Sequence, residues 1–380
     1  MLFLDQIELI KYYEIIIMKL SHLANSRILD QPTYQPGKPI EVVADQYGFR
    51  IDEVCKLASN ENPWGASPNA IEAGKKALEN VHRYPEGSGS TLRKKIANLH
   101  GLTSEQFILG NGSNEVIELL GHVFMQPGDE IILGEHAFVV YKLVSLLMGA
   151  TPVAVEMPGL RHDLEKMRDA ITEKTKLIFL PSPNNPTGTC NSEDEIYSFV
   201  RSLPEHVIFC LDEAYAEYSQ DPPDLKPLIA EGRKVIGLRT FSKIHGLAGL
   251  RIGYGYGSPE MIDLLQLSRQ PFNLNSIALA SASAALDDED WVSQCRRRNA
   301  AGLVQVETGC KKMDLEIIPS RANFLLIKVG QGQKVFESLQ ERGIISRPMP
   351  PSLGQYIRLS IGTEEENDRS LEALNVSLCN

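Results

Sequence analysis

The sequence predicts an α/β protein in which a mostly parallel sheet lies between helices, with a smaller α+β unit after it. Three observations carry this. From about residue 57 to 260, short apolar runs alternate with helical patterns, the reading expected of strand-helix-strand crossovers. The runs are dense in branched and aromatic residues, as strands covered on both faces are. Polar, glycine-rich segments follow several of the runs directly, and an open α/β sheet holds its ligands beyond the carboxyl ends of its strands.

The run at 107–109 leads into Gly110-Asn111-Gly112-Ser113-Asn114-Glu115 and the amphipathic Val116-Ile117-Glu118-Leu119-Leu120, so it reads as strand, glycine turn and helix. The runs at 130–133 and 152–155 are short and branched. The run at 177–180 ends in Pro183-Asn184-Asn185-Pro186-Thr187-Gly188, whose composition marks a tight turn. The fully apolar run at 207–211 ends in Asp212-Glu213-Ala214-Tyr215, and the run at 235–238 precedes the segment 240–251. After Gln270-Pro271-Phe272-Asn273 the texture changes to one long helical pattern from Ser276 to about Lys312. Strand-like runs at 324–327 and 356–360 then bracket a helix. The expected division is an N-terminal arm over 1–56, a large domain over 57–272 and a small α+β domain over 273–380. Residues 1–17 read either as an extension ahead of a start at Met18 or as a helical arm on a partner subunit.

With 380 residues and 43% hydrophobic content, the chain can bury a substantial core. A formal charge of -11 argues against a nucleic-acid surface, and Arg296-Arg297-Arg298 reads as a solvated helix face. Six cysteines are scattered without CxxC or CxxH spacing, so neither a disulfide framework nor a metal site is expected, and a reducing, cytoplasmic setting fits. The apolar first 20 residues are broken by Asp5, Glu8, Lys11, Glu14 and Lys19, which a bilayer core penalises, and they do not follow a signal-peptide pattern.

The segment Thr240-Phe241-Ser242-Lys243-Ile244-His245-Gly246-Leu247-Ala248-Gly249-Leu250-Arg251 sets one lysine between hydroxyls and a glycine-rich turn. Such a lysine reads as a Schiff-base nucleophile, with small neighbours that let a flat ring and its phosphate approach the backbone. Ser242 and Arg251 are candidates to hold that phosphate, and so are Ser113 and Asn114 at the start of a helix, where amide groups point outward. Ser113 and Asn114 read equally as an ordinary helix cap. Asp212, at the end of an apolar strand, is costly without a cationic partner, though it too reads as a helix cap. Arg358, within a strand-like run, calls for an oxyanion held in bidentate fashion.

On these residues the chain resembles the class II pyridoxal-phosphate aminotransferases of fold type I, and within them the histidinol-phosphate aminotransferases. The resemblance runs from Tyr34-Gln35-Pro36-Gly37-Lys38-Pro39 to Tyr356-Ile357-Arg358-Leu359-Ser360-Ile361-Gly362. It implies a seven-stranded sheet in the large domain and pyridoxal 5′-phosphate as cofactor, bound covalently to Lys243. It further implies that Asp212 pairs with the cofactor's ring nitrogen and that Tyr215 and Asn185 donate to its phenolate oxygen. Phe138 would stack on the ring, and Ser113, Asn114, Thr240, Ser242 and Arg251 would form the phosphate cup. Thr187 and Gly188 are left as structural.

The same resemblance implies a homodimer in which Tyr84, in Arg83-Tyr84-Pro85-Glu86-Gly87, reaches the neighbouring cofactor phosphate. Tyr34, Asn62, Asn323, Arg347 and Arg358 are the implied substrate-binding residues, with the arginines serving the phosphate of histidinol phosphate and the carboxylate of glutamate or 2-oxoglutarate. The implied reaction is a ping-pong transamination between these two substrates. Two relatives with the same cofactor kit stand beside it, an aromatic-amino-acid aminotransferase and a phosphothreonine decarboxylase. A non-catalytic sensor fused to a DNA-binding module is not expected, since the roughly 30 residues before Tyr34 show neither a helix-turn-helix pattern nor a basic face.

Overall fold

All six apolar runs of the first part form strands of one sheet. The computed structural model describes residues 20, 23–29, 31, 33 and 37–378, so Tyr34 and residues 1–17 lie outside the described residues. The strands are β1 (Cys55–Lys56), β2 (Phe107–Gly110), β3 (Glu130–Gly134), β4 (Thr151–Val155), β5 (Thr175–Pro181), β6 (Ile208–Asp212), β7 (Val235–Thr240), β8 (Gly253–Gly257), β9 (Ile317–Ile318), β10 (Phe324–Lys328), β11 (Ile344–Ile345), β12 (Arg347–Pro348) and β13 (Tyr356–Ser360). The large sheet has seven strands in the order β2-β8-β7-β6-β5-β3-β4. Only β8 runs antiparallel to its neighbours; the other pairings are parallel.

Alternation along the strands assigns their side chains to two cores. Leu177, Phe179, Ile208 and Cys210 face the helices Gly112–Phe124 and Val139–Met148, together with Val116, Ile117, Tyr141 and Val144. Ile178, Leu180, Phe209 and Leu211 face the opposite side, where Ile96, Ile196 and Phe199 pack from the helices Ser90–His100 and Glu193–Arg201. Continuous apolar runs follow from this, because both faces of each strand are buried. β8 has the sequence Gly253-Tyr254-Gly255-Tyr256-Gly257 and departs from that pattern. Its glycines make room: a Cβ on Gly253 would stand 2.6 Å from the Ser113 amide nitrogen, and one on Gly255 2.9 Å from Val116.

The helical pattern from Ser276 to Lys312 is two helices, Ser276–Ala285 and Glu289–Lys312, a departure from the single helix expected. The break is local chemistry, since Asp288 accepts the Trp291 N–H at 3.4 Å and starts a new helix. Ala278, Ala282 and Ala285 of the first helix join the core beneath the large sheet, so the change of texture after residue 272 precedes the change of core. Within the second helix Arg296 departs from the expected solvated face, donating from Nε to the Glu217 carbonyl at 2.6 Å.

A second sheet, β12-β13-β10-β9, is antiparallel and carries its own core of Leu325, Ile327, Ile357 and Leu359. The arm also packs on this part of the chain: β1 pairs in parallel with β11, and Val43, Ala44 and Val54 pack with Ile345. No helix among the described residues is long and apolar enough to cross a membrane.

Candidate active site

The ends of β2, β5, β6 and β7 open onto a cavity of about 150 Å³ lined by Ser113, Asn114, Phe138, Asn185, Asp212, Tyr215, Thr240, Ser242, Lys243 and Arg251. The structure therefore brings together, from segments far apart in sequence, the ten residues expected to contact the cofactor within one subunit. Phe138, Asn185, Tyr215 and Lys243 are shared with an outer chamber of about 910 Å³, which Arg347 and Arg358 also line.

One end of the inner cavity is built for an anion. The 13-residue helix Gly112–Phe124 starts there without a side-chain cap on its first amides, and those N–H groups carry the positive end of the helix dipole. Asn111, the N-cap residue, is held instead by Glu115 and the Asn273 carbonyl. Arg251 donates from Nη1 to the Ser242 hydroxyl at 3.3 Å, and Thr240 Oγ1 accepts the Ser242 N–H at 3.1 Å. Gly112 has φ +71°, and a Cβ there would stand 2.8 Å from Arg251 Nη2. Only glycine lets the guanidinium lie over the helix start.

The same cavity is lined by a carboxylate. Asp212 is 5% exposed, and burial raises its pKa above the ordinary aspartate value, while the Tyr141 hydroxyl, the Ala214 N–H and the Lys243 ammonium pull it back. Tyr141 donates to Oδ2 at 2.6 Å and Ala214 N–H to Oδ1 at 3.0 Å, so each oxygen keeps a lone pair for a further partner. Tyr141 was not among the expected residues. It stacks on Phe179 with ring centroids 4.6 Å apart and meets Phe138 edge-on at 5.7 Å. Glu213 turns to the opposite face of the sheet, where Arg239 (3.0 Å) and Tyr256 (2.5 Å) hold it in a structural ion pair.

Three consecutive residues organise the boundary between inner cavity and outer chamber. The Ala58 carbonyl accepts from Arg358 Nη2 at 2.5 Å, the Ser59 carbonyl from Lys243 Nζ at 3.3 Å, and Asn60 donates from Nδ2 to the Tyr215 hydroxyl at 2.9 Å. Arg358 also donates from Nη1 to Asn185 Oδ1 at 2.5 Å and lies 5.3 Å over the Phe324 ring. Arg347 and Arg358 are direct cross-strand partners in β12 and β13.

Asn62 and Asn323 line neither chamber. Asn62 Nδ2 bonds to the Ile244 carbonyl at 2.7 Å and Cys295 Sγ at 3.3 Å, and its Oδ1 accepts the Trp64 N–H, which fixes the loop rather than facing the site. Asn323 Nδ2 bonds to the carbonyls of Asn60 and Glu61. The asparagine of this loop that lines the outer chamber is Asn60. Thr187 and Gly188 line neither chamber: Thr187 Oγ1 accepts from Asn184 Nδ2 at 2.8 Å, and Gly188 sits at φ +76° against Ser320. Tyr84 is 84% exposed and stacks on Phe272 at 5.0 Å, outside the cavity of its own chain.

An anion cup, a nucleophilic amine, an aromatic ring and a buried carboxylate around one cavity fit pyridoxal phosphate in charge and in kind. The comparisons with known proteins agree. The family model described as aminotransferase class I and II matches residues 52–374. A histidinol-phosphate aminotransferase of Akkermansia muciniphila is 44% identical over 94% of this chain and 99% of its own. One from Nitrosococcus oceani is 43% identical over 94% and 97%. The crystal structure of histidinol-phosphate aminotransferase from Sinorhizobium meliloti in complex with pyridoxal-5′-phosphate is 25% identical with a TM-score of 0.86, covering 94% of this chain and 97% of that one. The chain belongs to the class I and II aminotransferases, and within them to the histidinol-phosphate aminotransferases.

Proposed function

We propose that this chain transfers an amino group from L-histidinol phosphate to 2-oxoglutarate, giving imidazole acetol phosphate and glutamate, a step of histidine biosynthesis. The observation that carries the substrate is the direct pairing of Arg347 with Arg358 across β12 and β13 on the wall of the outer chamber. Like charges placed opposite one another repel, and a phosphate dianion matches two guanidinium groups better than a single carboxylate does. The same pair accepts a carboxylate of glutamate or 2-oxoglutarate in the second half of a ping-pong cycle.

Pyridoxal 5′-phosphate, when bound, supplies the electron sink for the charge left on the substrate carbon. The chain does the rest. Ser113, Asn114, Thr240, Ser242, Arg251 and the helix start hold the phosphate, Asp212 keeps a negative charge against the ring nitrogen, and Tyr215 and Asn185 hold the ring oxygen. Lys243 Nζ, held toward the chamber by the Ser59 carbonyl, is the base that takes the proton from the nitrogen-bearing substrate carbon. Tyr84 acts across a homodimer on the neighbouring phosphate, a reading supported by its exposure, and the enzyme works in the cytoplasm.

The test is single-turnover conversion of the loaded enzyme by histidinol phosphate, phenylalanine and phosphothreonine in parallel. Histidinol phosphate is expected to react at least about a hundredfold faster per unit concentration, the worth of a second charged contact of some 3 kcal/mol. Faster conversion by phenylalanine, or carbon dioxide release from phosphothreonine, would overturn the assignment.

A further inference from the structure

Asn60 is the residue of this site whose geometry asks most for an explanation. It is 1% exposed and sits at φ 53°, in the left-handed region that asparagine tolerates better than other side chains but still adopts only under constraint. Arg251, at the phosphate end, has the same φ of 53°. Each polar atom of Asn60 is engaged: its N–H donates to Ser360 Oγ at 2.9 Å, its Oδ1 accepts from the Ser360 hydroxyl at 2.8 Å, its carbonyl accepts from Asn323 Nδ2 at 3.1 Å, and its Nδ2 donates to the Tyr215 hydroxyl at 2.9 Å.

The direction of the last bond matters. A tyrosine hydroxyl has one proton and two lone pairs. With an Asn60 Nδ2–H occupying a lone pair, the Tyr215 proton is left to donate elsewhere, and Tyr215 is among the residues that line the cavity. The Ser360 hydroxyl selects this orientation of the amide, because it takes the Asn60 N–H on its oxygen and gives its own proton to Oδ1. Ser360 ends β13, two residues after Arg358, so the strand that carries the substrate-side arginine also sets the amide.

We propose that Asn60 is a positioning residue, fixed by Ser360, that aims the Tyr215 proton into the cofactor cavity. This rests on the pyridoxal phosphate reading above. A donor on the cofactor's ring oxygen stabilises negative charge there, so it lowers the pH at which the neighbouring lysine-linked nitrogen loses its proton. The lever on that midpoint lies in a loop that touches Tyr215 and the small sheet.

The experiment is a pH titration of the visible absorbance of the loaded enzyme, with wild type, Asn60→Asp, Tyr215→Phe, the double variant and Ser360→Ala. Aspartate keeps the shape and tolerates the left-handed backbone, but it accepts the Tyr215 proton and draws it away from the cavity. Asn60→Asp is expected to raise the midpoint in the same direction as Tyr215→Phe, by about one pH unit, a tenfold change in proton affinity. The new carboxylate also raises the midpoint by its own charge, so in the double variant Asn60→Asp should add less to Tyr215→Phe than it adds to wild type, and Ser360→Ala, which brings no charge, should move the same way by less. An Asn60→Asp midpoint equal to wild type, or shifts that add in the double variant, would overturn the proposal. If Asn60→Asp does not fold, Ser360→Ala decides by the same criterion. A wild type with no Lys243-dependent band would instead sink the cofactor reading, a separate and recognisable failure.

Discussion

A carboxylate buried as deeply as Asp212 keeps its charge only with help, and Tyr141 is the strongest neutral donor on it. Tyr141→Phe removes one hydrogen bond to a charged group and leaves the ring stacked on Phe179. It is expected to push the Asp212 pKa further up and to weaken cofactor binding about tenfold, the effect of losing roughly 1.5 kcal/mol. Spectral titration of the cofactor-free protein with pyridoxal phosphate measures this. Residues whose role follows from a strand end were readable from the chain: Asp212, Tyr215 and Lys243 all stand where an apolar run stops. Tyr141 and Asn60 were not, because their partners are 71 and 155 positions away and no local pattern records such a meeting. Asn60 and Asn62 show the limit plainly. Both sit in one polar loop, yet Asn60, at φ 53°, lines the chamber while Asn62 turns to Ile244 and Cys295.

The helix Gly112–Phe124 and strand β8 meet at a contact that allows no extra atom, and this is where an element-level change is most telling. Gly112→Ala puts a Cβ at φ +71° and 2.8 Å from the Arg251 guanidinium. The arginine must move off the helix start, so phosphate affinity should fall by at least about tenfold, corresponding to the loss of one charge-assisted contact. Competition by inorganic phosphate against cofactor loading would show the same weakening, which separates a damaged cup from a damaged ring site. The strand reading succeeded where packing on both faces left a solid apolar run, at β2 through β7. It missed β8, because three glycines in five residues run against strand propensity despite the two tyrosines. Packing overrides propensity there: Gly237 on β7 clears the Tyr256 ring, against which a Cβ would stand at 2.3 Å. The expected single helix over 276–312 failed for the opposite reason, since one aspartate cap divides a pattern that periodicity alone sees as continuous.

At the scale of the molecule, three histidines whose pKa burial lowers, the half-buried His100 and the buried His162 and His245, add to acid sensitivity. Burial holds His100 down to about 4 and His162 down to about 3, against an ordinary value of 6.5. Both stay neutral in the folded protein while the unfolded chain takes up protons below about pH 6.5. Their contribution to stability is therefore complete above that pH and is lost as pH falls through 4 and 3. Thermal melts should show Tm dropping steeply between pH 6.5 and 4, and His100→Gln should flatten the drop. The homodimer reading has its own test at this scale. Lys243→Ala and Tyr84→Ala proteins, each inactive alone, should recover activity when refolded together, because each mixed dimer then holds one site with both residues intact. No recovery would place Tyr84 outside the reaction.

The parallel pairing of β1 with β11 brings Cys55 and Lys56 beside Ile344 and Ile345. During translation the arm leaves the ribosome about 290 residues before its partner exists. At roughly 5–20 residues per second it waits on the order of 15–60 s. The seven-stranded unit, whose last strand ends at Gly257, is fully synthesised within that interval, while Val43 and Val54 still lack Ile345 of their cluster.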